Sequence, residues 1–446
     1  MWYTDMRIFT ILKHIFTNSA GILVSRILGF LRDLLTASIL GANIYSDIFF
    51  VAFKLPNLFR RIFAEGAFTQ VFIPAYAKHK HKVSFSSVIF LQFLFFILAL
   101  SLVVTLFSSF FTQAIAIGFD DKTVAMASPL VAICFYYLPL IFVVTFLAAL
   151  LQYKNHFATT AFSTALLNLS LIGALLLSQN MESKDIIYYL SWGVVVGGIL
   201  QVFVHLYSIK KLKIKFFTTN IRKKTRDIKQ SKFYKQFYPA VFGSSAAHVA
   251  AFLDTWLASF LISGSISYLY YANRLFQLPL ALFAIATSVA LFPTIAKAIK
   301  NKNEEKALLY LRKAFFILLI VLSISTFIGI VFNTLIVELL FQRGAFTQDD
   351  TQTTALVLTM YMVGLLPFGI GKIFSLWLYS YEKQAIAAKI TMKSLLWNIV
   401  LSLALIKPYG ILGLALASSL SGFILFHLTI KEFGYEKFLK LVQNKL

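Results

Sequence analysis

Two long apolar runs limit what this chain can become. Residues 88–111 read VIFLQFLFFILALSLVVTLFSSFF and residues 315–332 read FFILLIVLSISTFIGIVF. About 18 consecutive apolar residues suffice to carry a helix across the hydrocarbon core of a bilayer. In lipid a helix satisfies its own backbone hydrogen bonds, which an open strand cannot do. The strands of a membrane barrel would alternate polar and apolar with a period of two, and these runs do not. The chain as a whole agrees. It is 59% hydrophobic and 13% charged, against roughly 25% charged in soluble domains, and its mean hydropathy is +0.79. The expected fold class is an all-α polytopic membrane protein.

Twelve spans are read, at 14–40, 46–76, 84–117, 125–152, 157–178, 186–209, 235–262, 266–298, 308–340, 352–379, 385–406 and 410–432. The loops between them alternate in charge. KHKHK, YKNH, a long basic segment, KAIKNKNEEK, YEKQ and KEFGYEKFLK follow the even-numbered spans. GFDDK, QNMESKD, SGS, RGAFTQDD and KPYG lie between them. Lysine and arginine collect in cytoplasmic loops, which places both termini in the cytoplasm. The same rule accounts for the net charge of +23 without nucleic acid as a partner. The segment 210–235, with eleven lysines and arginines, reads as a topology signal that also meets anionic membrane lipids. The N-terminus lacks a short apolar region with a small-residue cleavage site, so the first helix is expected to be the insertion signal. The sole cysteine, Cys134, allows no intramolecular disulfide.

The basic segment divides the chain into halves that echo each other. GANIYSDIFFVAFKLP separates Gly41 from Pro56 by the spacing that SGSISYLYYANRLFQLP puts between Gly264 and Pro279. Pro139 and Asn168 in the first half correspond to Pro367 and Asn398 in the second. The domain reading follows: an N-terminal lobe of helices 1–6 over 1–209, a linker over 210–234, a C-terminal lobe of helices 7–12 over 235–432, and a basic amphipathic tail over 433–446. Two pseudo-symmetric six-helix lobes around a central cavity that opens to each side in turn is how such repeats usually work.

Charges inside the spans bear on function. On a helical wheel, Asn18, Ser25, Arg26, Gly29, Arg32, Asp33 and Thr36 fall within an arc of about 120°. Arg61, Glu65 and Lys54 share a second stripe within about 40°, while Arg60 points elsewhere. Arg274 and Lys372 add cations in the second half. An arginine at the bilayer centre costs at least ~2.5–3.5 kcal/mol, so such residues face a partner or water. Interhelical ion pairing is one reading of each. As a set, Arg26, Arg32, Lys54, Arg60, Arg61, Arg274 and Lys372 outnumber Asp33, Asp47, Glu65 and Asp254. A cationic excess around a central cavity points to an anionic substrate, and arginine forks suit phosphate oxygens. The sequence has no GxxxxGK[ST] loop, HExxH or Cys/His cluster, so a transporter is expected rather than an enzyme.

SRILGFLRD (25–33), SDIFFVAFKLPNLFRRIFAEGAFTQVFIP (46–74) and YYANRLFQLP (270–279) resemble the signatures of the MurJ/MviN lipid II flippases. That family belongs to the multidrug/oligosaccharidyl-lipid/polysaccharide exporter superfamily. The resemblance implies a two-lobed flippase of the bacterial inner membrane, moving lipid II from the cytoplasmic to the periplasmic leaflet; a monomer is expected. It matches the family's substrate-binding cations to Arg26, Arg32, Arg61, Arg274 and Lys372, with Lys54 alongside on the residue reading. Asp33, Asp47 and Glu65 match the charge-balancing acids of the first two helices. Asn273 stands where members often carry Asp. A sodium site in some members matches Asp254, Asn398, Ser402 and Ser418, with Ser402 in place of an acidic ligand. No organic cofactor is expected; sodium or the membrane potential would supply the coupling. Many members have fourteen helices, and this reading has twelve. The alternatives are a flippase for another lipid-linked glycan, a cation-coupled drug exporter, or a scaffold that binds lipid-linked precursor without moving it.

Overall fold

The computed structural model describes residues 2–60, 68–218, 233–238 and 252–443, with the side chains of 2–16, 18 and 19 outside that description. The described residues form helices and no strand. The chain divides into two compact units, residues 1–248 and 249–446.

In the first unit, α1 (Trp2–Leu40) is followed by α2 (Ile44–Phe59) and α3 (Phe68–Lys78). Then come α4 (Lys82–Leu106), α5 (Ser108–Ile115), α6 (Asp121–Phe135), α7 (Tyr137–Tyr153), α8 (Ala158–Ser178) and α9 (Ser183–Lys211). The second unit contains α10 (Ser265–Pro279), a π-helical turn (Leu280–Ile285), α11 (Ala286–Lys300) and α12 (Glu304–Val331). It continues with α13 (Asn333–Phe341), α14 (Gln348–Met362), α15 (Leu365–Ser380), α16 (Gln384–Phe433) and α17 (Tyr435–Gln443).

Eight helices or helix pairs among the described residues are long and apolar enough to cross a membrane. Seven match single spans of the sequence reading, and the eighth, Gln384–Phe433, covers the last two. The structure corrects their boundary. KPYG reads as a loop, yet the helix runs through Pro408 and turns at Gly410 alone, with φ 54° and ψ −128°. That region is nearly closed to residues with a Cβ, so one glycine does the work of a loop. The three remaining spans depart from the eight for visible reasons. The first carries the polar stripe, and the second and seventh include residues 61–67 and 239–251, outside the described set.

The half-repeat has a structural counterpart at its prolines. Pro279 leads into the π-helical turn, and Arg60, four residues past Pro56, also lies in a π turn. Proline removes a backbone donor and loosens the following ladder, where π-bulges form. The start of α2 is fixed by a capping box. Asn43 Oδ1 accepts from the backbone of Tyr45 at 2.9 Å and Ser46 at 3.3 Å, while Ser46 Oγ accepts from Asn43 N at 2.9 Å. This places Asp47 in the first turn, where the helix dipole favours a carboxylate.

Polar groups inside the first unit pair across helices. Tyr137 OH donates to Gln201 Oε1 at 3.1 Å, and Gln201 Nε2 donates to Ser163 O at 3.0 Å. Those bonds join α7, α9 and α8. Small residues bring α1 and α8 together: a Cβ on Gly21 would lie 2.6 Å from Ala161 Cβ and 2.9 Å from Ala161 C. Gly21→Val is therefore expected to destabilise the unit by about 1–3 kcal/mol, read as a lower thermal midpoint in detergent. Gly173→Ala, with nothing within 4 Å of the added carbon, should keep that midpoint or raise it, since alanine favours a helix interior over glycine.

Candidate anion-binding site

Helix α1 carries a hydrogen-bonded pair of charged side chains, Arg32 and Asp33. Arg32 donates from Nη2 and Nε to Asp33 Oδ1, at 2.6 and 3.1 Å. Its Nη1 donates to Asn168 Oδ1 at 3.1 Å, across to α8. Asn168 Nδ2 in turn donates to Ser25 O at 3.0 Å, back on α1. Gly29 faces the same amide, and a Cβ there would sit 3.5 Å from Asn168 Nδ2. The side chains of Arg32 and Asp33 are 12% and 4% exposed. Ion pairing is thus the structural role of Arg32 here. Arg26, two turns earlier, is exposed.

On α2, Asp47 is buried and Lys54 half-buried. Arg60 turns to its own helix and donates from Nε to Asn57 Oδ1 at 3.2 Å. Arg61 and Glu65 lie outside the described residues.

In the second unit, Arg274 lies along Tyr270, one turn back. Its Nη2 donates to Tyr270 OH at 2.7 Å, and the guanidinium carbon sits 4.8 Å from the ring centroid. Cation–π contact and hydrogen bond together fix the direction of the fork. Asn273 accepts from Gln277 Nε2. Lys372 is exposed on α15.

Of the four residues matched to a sodium site, two are joined: Asn398 Nδ2 donates to Ser418 Oγ at 3.2 Å. Ser402 lies one turn from Asn398, and its Oγ is buried without a hydrogen-bond partner among the described residues. Asp254 is half-buried. Carboxylate, amide and hydroxyl oxygens are the ligand types a hard cation takes. No group of three or more His, Cys, Asp or Glu side chains that could hold a metal occurs among the described residues.

Two partners escaped the sequence reading as site residues. Asn168 holds Arg32, and its place in the half-repeat opposite Asn398 was the available signal. Tyr270 holds Arg274, and the spacing of four on one helix was the signal there.

The family model described as "Lipid II flippase MurJ" matches residues 36–443. A probable lipid II flippase MurJ of Helicobacter pylori (strain J99) is 50% identical over 422 residues, covering 92% of each chain. The corresponding protein of Buchnera aphidicola from Acyrthosiphon pisum is 34% identical over 455 residues, covering 98% of this chain and 86% of that one. A solved lipid II flippase MurJ in an inward closed conformation superposes with a TM-score of 0.82 at 28% identity, over 96% of this chain and 90% of that one. An inward-facing multidrug resistance MATE transporter of the MOP superfamily shares the fold, with a TM-score of 0.74 at 12% identity over 97% and 100% of the two chains.

Proposed function

The chain belongs to the lipid II flippase MurJ family, and from that premise we propose that it carries lipid II from the cytoplasmic to the periplasmic leaflet by alternating access. It is a multi-pass transporter of the inner membrane and not an enzyme. The observation that carries this reading is identity of 50% to a probable lipid II flippase along 92% of both chains.

Within that function, arginines supply the grip. The lipid-linked headgroup carries a pyrophosphate, and planar guanidinium forks bind such oxygens two at a time. Arg26, Arg32 and Arg61 of the first unit and Arg274 of the second would hold it, with Lys54 and Lys372 adding positive charge. Asp33, Asp47 and Glu65 would neutralise those cations once the substrate leaves. The geometry supports unequal roles: Arg26 is exposed, Arg274 is aimed by Tyr270, and Arg32 is held by Asp33 and Asn168. A sodium ion at Asp254, Asn398, Ser402 and Ser418, or the membrane potential acting on the cationic protein, would drive the return. The termini face the cytoplasm by the charge of the loops, the segment 210–235 meets anionic lipids, and the working unit is a monomer.

The test is transport by the purified chain in proteoliposomes. Fluorescent lipid II in the inner leaflet should become accessible outside, while a carrier bearing an O-antigen-type glycan should not. Equal movement of both would replace this substrate by lipid-linked glycans in general. Movement of neither, with binding of lipid II intact, would favour a scaffold.

A further inference from the structure

Each unit closes on itself in the same way after its last long helix. Helix α9 leaves through Ile209-Lys210 and α16 through Ile430-Lys431. Four residues past each isoleucine the backbone passes through a residue of positive φ, Lys213 at 51° and Gly434 at 105°. The chain then lays aromatic rings on corresponding helices of its own unit. In the first unit Phe216 sits 6.2 Å from both Phe90 of α4 and Phe146 of α7. In the second, Phe438 sits 5.8 Å from Phe315 of α12 and 5.5 Å from Phe374 of α15. Helices α4 and α12 are the third spans of their halves, and α7 and α15 close the fourth.

Polar bonds fasten both segments. Ser86 Oγ donates to Phe216 O at 2.7 Å, and Thr218 N donates to Ser87 Oγ at 2.9 Å. The far end of the basic segment returns to the same place: Phe237 packs 5.1 Å from Phe93, and Tyr234 OH donates to Gln92 Oε1 at 2.7 Å. In the second unit Lys437 Nζ pairs with Glu304 Oε1 at 2.7 Å and lies 5.5 Å from the Trp377 ring. Phe233, Phe237 and Leu441 are buried, at 2%, 4% and 0% exposure.

We propose that these segments are a pair of permanent clasps, one per half-repeat, each pinning the third and fourth spans of its own unit through the whole transport cycle. The described ends of the basic segment, 210–218 and 233–238, are then fastened to the first unit. Undocking them would expose buried rings and break the bonds from Ser86 Oγ to Phe216 O and from Thr218 N to Ser87 Oγ. The repeated aromatic contact would be hard to explain in a segment whose work is to flex. The part of this that concerns transport rests on the flippase reading; docking itself does not.

A disulfide tests it. Ser87→Cys with Thr218→Cys, in a Cys134→Ala background, should oxidise nearly completely in membranes. The oxidised chain should move fluorescent lipid II within twofold of the same chain after reduction. Glu304→Cys with Lys437→Cys, bridged by a short bismaleimide, should do the same for the second unit. Failure to cross-link in folded protein would overturn docking. Complete cross-linking with transport lost on oxidation and regained on reduction would overturn permanence. A chain that cross-links completely but moves no lipid II even when reduced supports the docked clasp and counts against the flippase reading.

Discussion

Arg26→Ala and Arg274→Ala should each abolish rescue of a cell depleted of its own flippase, with little change in the amount of protein in the membrane. The reasoning starts from cost. A cation on a membrane helix carries an insertion penalty of at least ~2.5–3.5 kcal/mol, which a buried counter-ion or water must offset. Arg32 has such a counter-ion in Asp33, whereas Arg26 is exposed on the same helix. Losing Arg26 should therefore cost the fold little. Removing one partner from a desolvated, hydrogen-bonded charge pair costs about 2–5 kcal/mol, or from about thirtyfold to several thousandfold in transport at 1.36 kcal/mol per decade. Lysine at either position should restore only part of this, since it keeps the charge and loses the fork. Tyr270→Phe removes only the hydroxyl that aims Arg274, so its effect should be smaller and should vanish in an Arg274→Ala background. The measurements are growth on depletion, precursor accessibility at the outer face, and membrane abundance of each variant. Full rescue by both alanine variants would show that these arginines do not hold the substrate.

The architecture was legible because lipid admits few folds. Apolar runs such as 88–111 and 315–332 leave only helices. The interruptions were less legible. Nothing in KPYG distinguishes a loop from a helix broken at one residue, since a glycine serves both; the backbone angles of Gly410 decide it. The charged faces were half legible. A helical wheel reduces each side chain to a direction, and on it Arg32 and Asp33 diverge by about 100°. Yet the arginine stem is long enough to curl its guanidinium back onto the neighbouring carboxylate. The same simplification pointed Arg60 away from the stripe of Lys54, Arg61 and Glu65, and its Nε meets Asn57 on its own helix. Asn168 stood out in the half-repeat, but its bond to Arg32 spans 136 positions. Distant pairing of that kind follows from the docking of α1 on α8, which local pattern does not encode. The clasps were invisible for a related reason. A basic, aromatic-bearing segment reads as a topology signal until its rings are seen against α4 and α7.

Asp33→Leu should be among the most destabilising single changes outside the apolar core, and Arg32→Met added to it should restore much of the loss. With Asp33 gone, the Arg32 guanidinium loses the carboxylate at 2.6 Å, in a site where its side chain is 12% exposed. Breaking a buried pair from one side costs about 3–5 kcal/mol, because the surviving charge loses its compensation, whereas replacing both members by apolar residues of like volume is often neutral. Asn168→Ala should cost less, about 1–3 kcal/mol for the acceptor and donor it removes, and should loosen α1 from α8. Thermal unfolding of the purified variants ranks the three. Transport by the double variant then separates two roles that the single changes confound. If Arg32→Met/Asp33→Leu is stable and moves lipid II normally, the pair only fastens α1 to α8, and the grip on pyrophosphate belongs to Arg26 and to arginines elsewhere in the chain. If it is stable and inactive, Arg32 must exchange Asp33 for phosphate during the cycle. Its counter-ion is then also the group that releases the substrate, because the carboxylate and the pyrophosphate compete for the same fork.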